Sequence, residues 1–117
     1  MPASERDLSI LERIVSYCED IEEAVSRFGD GIEAFTGDKH YRNACAMCIL
    51  QIGELANHLS SEFRESHPGI PWNAIRGIRN VMAHAYGSIS IRTTWETIEQ
   101  DIPALKDFCL AVLSGQL

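Results

Sequence analysis

Long apolar runs are absent from this sequence. No stretch approaches the roughly 18 uninterrupted apolar residues that a membrane-spanning helix needs, and residues 1–7 lack the basic start and apolar core of a secretory signal. Alternating strand patterns, internal repeats and low-complexity segments are missing as well. We therefore expect a cytoplasmic, all-α protein that does not contact a membrane.

Acidic residues are missing from one window of an otherwise acidic chain. The 117 residues carry a formal net charge of −7, and residues 1–38 contain ten acidic residues against three basic ones. Residues 70–95 contain three arginines and neither Asp nor Glu. The overall charge opposes nucleic-acid binding, because Lys and Arg hold phosphates. A local basic pocket could still bind one.

Cysteine is too sparse for a disulfide scaffold. Cys18, Cys45, Cys48 and Cys109 all lie within apolar helical patterns, so we expect reduced thiols that act as small core residues. Cys45 and Cys48 also form a C-x-x-C pair, which would fit redox chemistry or half a zinc site. The preceding strand or second C-x-x-C pair that would support those interpretations is absent.

Apolar residues recur every three or four positions in four stretches, which predicts four main helices. The stretches are Leu8–Phe28, Cys45–Phe63, Pro71–Gly87 and Ile91–Val112. With 45% hydrophobic residues, the chain can build one core. We predict a single domain over residues 1–117, an up-and-down helical bundle with a short additional helical turn at Ile32–Phe35.

Individual residues predict where these helices begin, end or deviate. Ser4 is a candidate N-cap and Gly29 a candidate stop for the first helix. Pro103 interrupts the last stretch without changing its apolar register, so we expect a kink and not an end. Gly53 lies in mid-helix, where Gly costs about 1 kcal/mol relative to Ala, and we expect it to allow close approach of another helix.

The basic window contains a group of candidate catalytic residues at the end of an apolar stretch: Arg79, Asn80, His84 and Tyr86. Metal-free RNA cleavage needs a base, an acid and a cation that stabilises charge on the phosphate. Histidine suits the proton transfers because its pKa is about 6.5, and arginine can hold phosphate oxygens bidentately. Spacing alone favours a capping or interface cluster over a catalytic site.

Helical geometry separates Arg79 from His84. In one regular helix the two residues would lie about 140° apart around the axis. They could converge if the helix unwinds near Ala85 and Gly87, or if a second copy of the segment faces the first across a two-fold axis. The chemistry favours the second copy, because each chain offers one well-placed histidine and the reaction needs both an acid and a base.

The pattern Arg79-x4-His84-x-Tyr86, with Asn80 directly after the arginine, resembles the R-x4-H-x-Y motif of HepT-like proteins in the HEPN superfamily. Ala85 stands where many members of that family have Gly. The resemblance covers about residues 5–112. It extends to Gln51–Ala56, Ile70–Trp72 and Trp95–Glu96.

The resemblance implies an all-α homodimer with the motif in an interface cleft and a metal-independent endoribonuclease activity of the toxin type. It implies that Arg79 and His84 are catalytic, that Asn80 supports them, and that Tyr86 is AMPylated by a minimal nucleotidyltransferase antitoxin. AMP would place bulk and negative charge where an RNA phosphate binds. We expect RNA as the substrate, and neither a cofactor nor a metal.

Glu54 and Arg76 are further candidates that could support the cleft. Glu54 also lies four residues before His58, which suggests a metal site, but the di-iron bundle motif is Glu-x-x-His and Asn57 occupies the third position here. Two functional alternatives remain. The bundle could be a non-catalytic partner that presents a substrate to a nucleotidyltransferase, or a dimerising scaffold, although neither needs the Arg, His and Tyr of the motif.

Overall fold

The structure, a computed structural model, describes residues 3–84 and 88–117, without the side chains of residues 79–90. Every regular element in this part of the chain is helical, as predicted. The elements are α1 (Glu5–Phe28), α2 (Ile32–Gly37), α3 (Lys39–Asn57), α4 (Ser61–Ser66), α5 (Trp72–His84), α6 (Ser88–Glu96), a π-helical segment (Thr97–Asp101) and α7 (Ile102–Leu113). None of the described helices combines the length and apolar character that crossing a membrane requires.

The described helices overlap the four predicted apolar stretches, and α2 overlaps the predicted short turn. α1 packs against α3 and α7, while α3 packs against α5 on its other side. The face that α1 buries carries Leu11, Ile14 and Ile21, which recur at helical spacing and are almost completely inaccessible to solvent. The α1 and α7 pair is also linked at the surface, where Lys106 lies 2.7 Å from Glu22.

The second predicted helix is divided into two, which corrects the prediction of one unbroken helix from Cys45 to Phe63. α3 ends at Asn57, and α4 begins at Ser61. Ser60 is the N-cap of α4: its hydroxyl oxygen accepts a hydrogen bond from the Phe63 N–H at 3.1 Å. Phe63 is nevertheless buried. The apolar spacing of α3 therefore continues into α4, although the helix itself is interrupted at the Ser60 cap.

Asp7 joins the start of α1 to the start of α4. Its carboxylate accepts hydrogen bonds from the Ser60 N–H at 2.9 Å and the Ser60 hydroxyl at 2.7 Å. Ser4 donates to the same carboxylate at 3.0 Å and caps α1 through the Asp7 N–H, as predicted. Burial alone would raise the pKa of Asp7, but the bonds from Ser60 and Ser4 outweigh it and hold the pKa below its ordinary value.

Pro103 lies near the start of α7, directly after the π-helical segment. A regular α-helix would force the proline ring against the carbonyl of Glu99, and the wider π turn accommodates it. The N–H of Ile102, the residue that follows this segment, donates to the carbonyl of Thr97, five residues earlier. The helix continues through the proline, as predicted, and the irregularity is a π-helical segment.

Gly53 lies where α3 and α5 are in close contact. A Cβ atom built on Gly53 would lie 2.9 Å from Ile78 Cγ2 and 3.1 Å from the Ile75 carbonyl oxygen. The prediction of a close helix approach at Gly53 is therefore confirmed. α5 begins at Trp72, one residue later than predicted, and the Pro71 carbonyl accepts its first hydrogen bond from the Ile75 N–H at 3.0 Å.

Substituting Gly53 with alanine tests this contact. We expect Gly53→Ala to lower the free energy of unfolding by about 1–3 kcal/mol, because the added methyl group meets backbone as well as side chain. Gly77→Ala in α5 is the matched control, since a Cβ there meets no described atom within 4 Å; helix propensity should raise its stability by up to about 1 kcal/mol. Urea unfolding measures both, and a stabilising Gly53→Ala would contradict the close approach.

Substituting Asp7 with asparagine tests the α1 and α4 joint. Because the folded-state pKa of Asp7 is lowered, its ionised form stabilises the fold above the ordinary pKa of 3.8, and this contribution is lost as pH falls through the folded value. We expect Asp7→Asn to cost about 1–3 kcal/mol at neutral pH, with a smaller difference from wild type in acid. The exposed α1 residue Asp20 provides the control: an equal, equally pH-dependent loss in Asp20→Asn would contradict a specific role for Asp7.

Candidate functional site

α5 carries most of the candidate residues. Arg76, Arg79, Asn80 and His84 all lie within the single helix Trp72–His84, so Arg79 and His84 are separated by about 140° of helical rotation, as the sequence analysis assumed. The side chains of Arg79, Asn80 and His84 are outside the described part of the structure. Tyr86 also lies outside the described residues, as do Ala85 and Gly87, where unwinding or a helix end was predicted.

Two buried tryptophans brace the chain on either side of the motif. The Trp72 indole N–H donates to the His67 carbonyl at 3.0 Å, and its ring lies 5.8 Å from that of Phe108. Trp95 lies 5.2 Å from Phe35. Both indoles are almost fully buried, so these tryptophans are packing residues. α5 therefore begins, and α6 ends, at fixed points in the core.

Glu54 lies on the turn of α3 where Gly53 contacts α5. It follows Gly53 directly and is half-buried. Gly53 lies close to Ile78, and Arg79 is the next residue of α5 after Ile78. The predicted role of Glu54 in supporting the cleft remains a prediction.

Arg76 is held by a residue from the neighbouring helix. Its Nε–H donates to Asn57 Oδ1 at 3.0 Å, across the gap between α5 and the last turn of α3. Arg76 was a predicted site residue, whereas no role was predicted for Asn57. The available signal was that Asn57 lies four residues after Gly53, on the same side of α3.

The four cysteines are free thiols. Burial raises the pKa of Cys18, Cys45 and Cys109 to about 12 each, and it also raises the pKa of the half-buried Cys48. Because only thiolates attack disulfides or bind metals, these side chains act as core residues, as predicted. Cys45 and Cys48 lie in the middle of α3 and do not follow a strand.

Metal-binding side chains are not clustered in the described residues. Within 3–84 and 88–117, apart from the side chains of 79–90, no group of three or more His, Cys, Asp or Glu residues could hold an ion. His58 is exposed and lies just past the end of α3.

The relatives of the chain share a ribonuclease description. A family model described as "Ribonuclease HepT-like" matches residues 14–112, which include α3, α5 and the entire motif. This chain belongs to the HepT-like ribonuclease family. The resemblance found in the sequence is thereby confirmed at the level of the family, and so is the assignment to the ribonucleases.

Individual relatives agree with the family model. The HepT-like chain is 34% identical over 95 residues to a predicted ribonuclease HepT of Thermococcus cleftensis, covering 77% of this chain and 86% of the relative. It is 38% identical over 96 residues to a predicted RNase of Caldanaerobacter subterraneus subsp. tengcongensis, covering 82% and 84%. No solved structure matches the chain.

Proposed function

We propose that this HepT-like protein is a metal-independent endoribonuclease toxin that acts in the cytoplasm and cuts RNA in a cleft between two copies of the chain. Membership of a ribonuclease family supports the reaction. The observation that carries the proposed site is the single helix α5, which includes both Arg79 and His84. A regular helix points these two positions in different directions. In the proposed dimer, α5 of the second copy supplies the Arg79 or His84 that a single helix cannot bring to the same place.

The proposed reaction is a transesterification within the RNA. One His84 takes the proton of a ribose 2′-hydroxyl, and the 2′-oxygen forms a bond to phosphorus as the bond to the 5′-oxygen breaks. A second His84 gives a proton to the leaving 5′-oxygen. Arg79 stabilises the negative charge on the phosphate oxygens, and Asn80 supports the two catalytic residues.

The described histidines favour a second copy of the chain as the source of the second catalytic His. His40 and His58 are exposed at opposite ends of α3. The His67 ring lies 4.8 Å from the ring of Phe63 and 5.0 Å from that of Phe108. None of these three belongs to α5, whereas a two-fold axis beside α5 would bring two His84 and two Arg79 residues into one cleft.

The charge distribution fits an RNA substrate at this place. Residues 70–95 contain Arg76, Arg79 and Arg92 without an acidic residue, although the chain as a whole is acidic. Local positive charge would retain the RNA backbone. The acidic remainder would limit non-specific binding elsewhere on the protein.

Tyr86 is the proposed point of regulation. It follows His84 by two residues, and AMP attached to its hydroxyl would bring a negative phosphate next to the cleft. The donor would be a minimal nucleotidyltransferase that acts as antitoxin. Repulsion between that phosphate and the RNA backbone, together with the bulk of the adenosine, would block substrate binding.

Replacing His84 tests the catalytic assignment. We expect expression of wild type to degrade cellular RNA and arrest growth, and His84→Ala to abolish both, because the proton-transfer group is lost. His40→Ala is the control, since His40 is an exposed residue on α3, and it should remain as toxic as wild type. Equal RNA integrity in cells that express wild type and His84→Ala would favour the alternative, a non-catalytic partner that presents a substrate to a nucleotidyltransferase.

Intact mass tests the proposed modification. Coexpression with a minimal nucleotidyltransferase should add one or more AMP-sized increments to the wild-type chain, and Tyr86→Phe should remove them because the acceptor hydroxyl is gone. Tyr17→Phe in α1 is the matched control and should retain the increments. An unchanged increment in Tyr86→Phe would place the modification on another residue.

A further inference from the structure

We propose that Arg76 binds an RNA backbone phosphate that flanks the cleaved one, and that Asn57 holds the arginine side chain in place for this contact. The proposal rests on the ribonuclease function above and extends its substrate-binding surface beyond the motif. The structural basis is the hydrogen bond between α5 and the end of α3.

The position of Arg76 determines which phosphate it can reach. Arg76, Asn80 and His84 follow one another at intervals of four residues along α5, so they lie on one side of the helix. Arg76 is about 12 Å from His84 along the helix axis. At this separation we expect Arg76 to bind a neighbouring phosphate of the same strand and not the one that is cleaved.

The contact with Asn57 fixes the side chain without neutralising it. The acceptor is a neutral amide oxygen, 3.0 Å from the Arg76 Nε, and the guanidinium retains N–H donors on its two terminal nitrogens. Arg76 is half-buried, so part of its freedom is already lost before RNA binds. A planar guanidinium oriented in this way suits a bidentate phosphate contact.

Three other basic residues in the described part of the chain bond to carboxylates or to a backbone carbonyl. Arg27 pairs with Glu23 at 2.9 Å, and Lys106 pairs with Glu22 at 2.7 Å. Arg64 donates to a backbone carbonyl at the break between α3 and α4. Arg76 instead bonds to a neutral side-chain amide, and Arg76 itself lies within the acid-free window 70–95.

The packing of α3 on α5 makes this contact possible. Gly53 allows the helices to approach at Ile78, and Asn57 lies one turn beyond Gly53 at the end of α3. An amide at the last position of α3 can therefore reach Arg76. The same approach that positions the motif helix also orients the proposed phosphate-binding side chain.

The salt dependence of RNA binding tests the proposal. The probe is a fluorescent single-stranded RNA of mixed sequence, and all variants carry His84→Ala so that the RNA stays intact. Adding Arg76→Gln should raise the Kd by roughly tenfold and reduce the slope of log Kd against log salt by about 0.7 for each copy whose Arg76 contacts the RNA. Arg27→Gln removes the same charge from the exposed end of α1 and should leave both quantities near those of the parent.

Asn57→Ala separates orientation from charge. It keeps the Arg76 charge, so the slope should stay at the parent value while the Kd rises by about threefold because the side chain is less ordered. An Asn57→Ala variant with an unchanged Kd would overturn the proposed holding contact, and an Arg76→Gln variant with the parent slope would overturn the phosphate contact. If the wild type cleaves no RNA and the His84→Ala parent binds none, the ribonuclease function itself is wrong.

Discussion

The contact between Gly53 and α5 is the constraint on which the proposed site depends. A glycine in the middle of α3 costs about 1 kcal/mol of helix propensity, but it lets Ile78 and the Ile75 carbonyl occupy the space that a side chain would fill. The face of α5 that carries Ile75 and Ile78 is therefore fixed against α3, and the register of every later residue in α5 follows from it. The orientation of the motif residues in α5 therefore depends on the packing of Ile75 and Ile78, which precede them in the same helix.

Two further features hold the ends of this arrangement. The Asp7 carboxylate binds Ser60, the residue that caps the start of α4. Trp72 anchors the first residue of α5 in an aromatic cluster with Phe63 and Phe108. Rigid elements position catalytic groups more precisely than loops do, and α5 is held by packing on α3 as well as at its first residue.

The sequence was most informative where local rules apply. Apolar periodicity predicted the long helices, and the unusual position of Gly53 predicted the close approach. The same periodicity failed between Asn57 and Ser61, because the break depends on a hydrogen bond between Ser60 and a residue 53 positions earlier. The hydrogen bond between Arg76 and Asn57 could not be predicted from the sequence either, because it depends on how α3 and α5 are aligned along each other. Spacing identified the motif residues, but family resemblance supplied their chemistry and the role of Tyr86.

The central claim is that one active cleft needs His84 from two copies of the chain, and a mixing experiment tests it directly. Wild type and His84→Ala are co-refolded at a fixed total concentration in varying proportions, and RNA cleavage is measured at each. If both histidines act in one cleft, activity falls with the square of the wild-type fraction, to about a quarter at equal proportions. Activity that falls in direct proportion, to about a half, would show that each chain cleaves RNA on its own and would contradict the two-fold cleft.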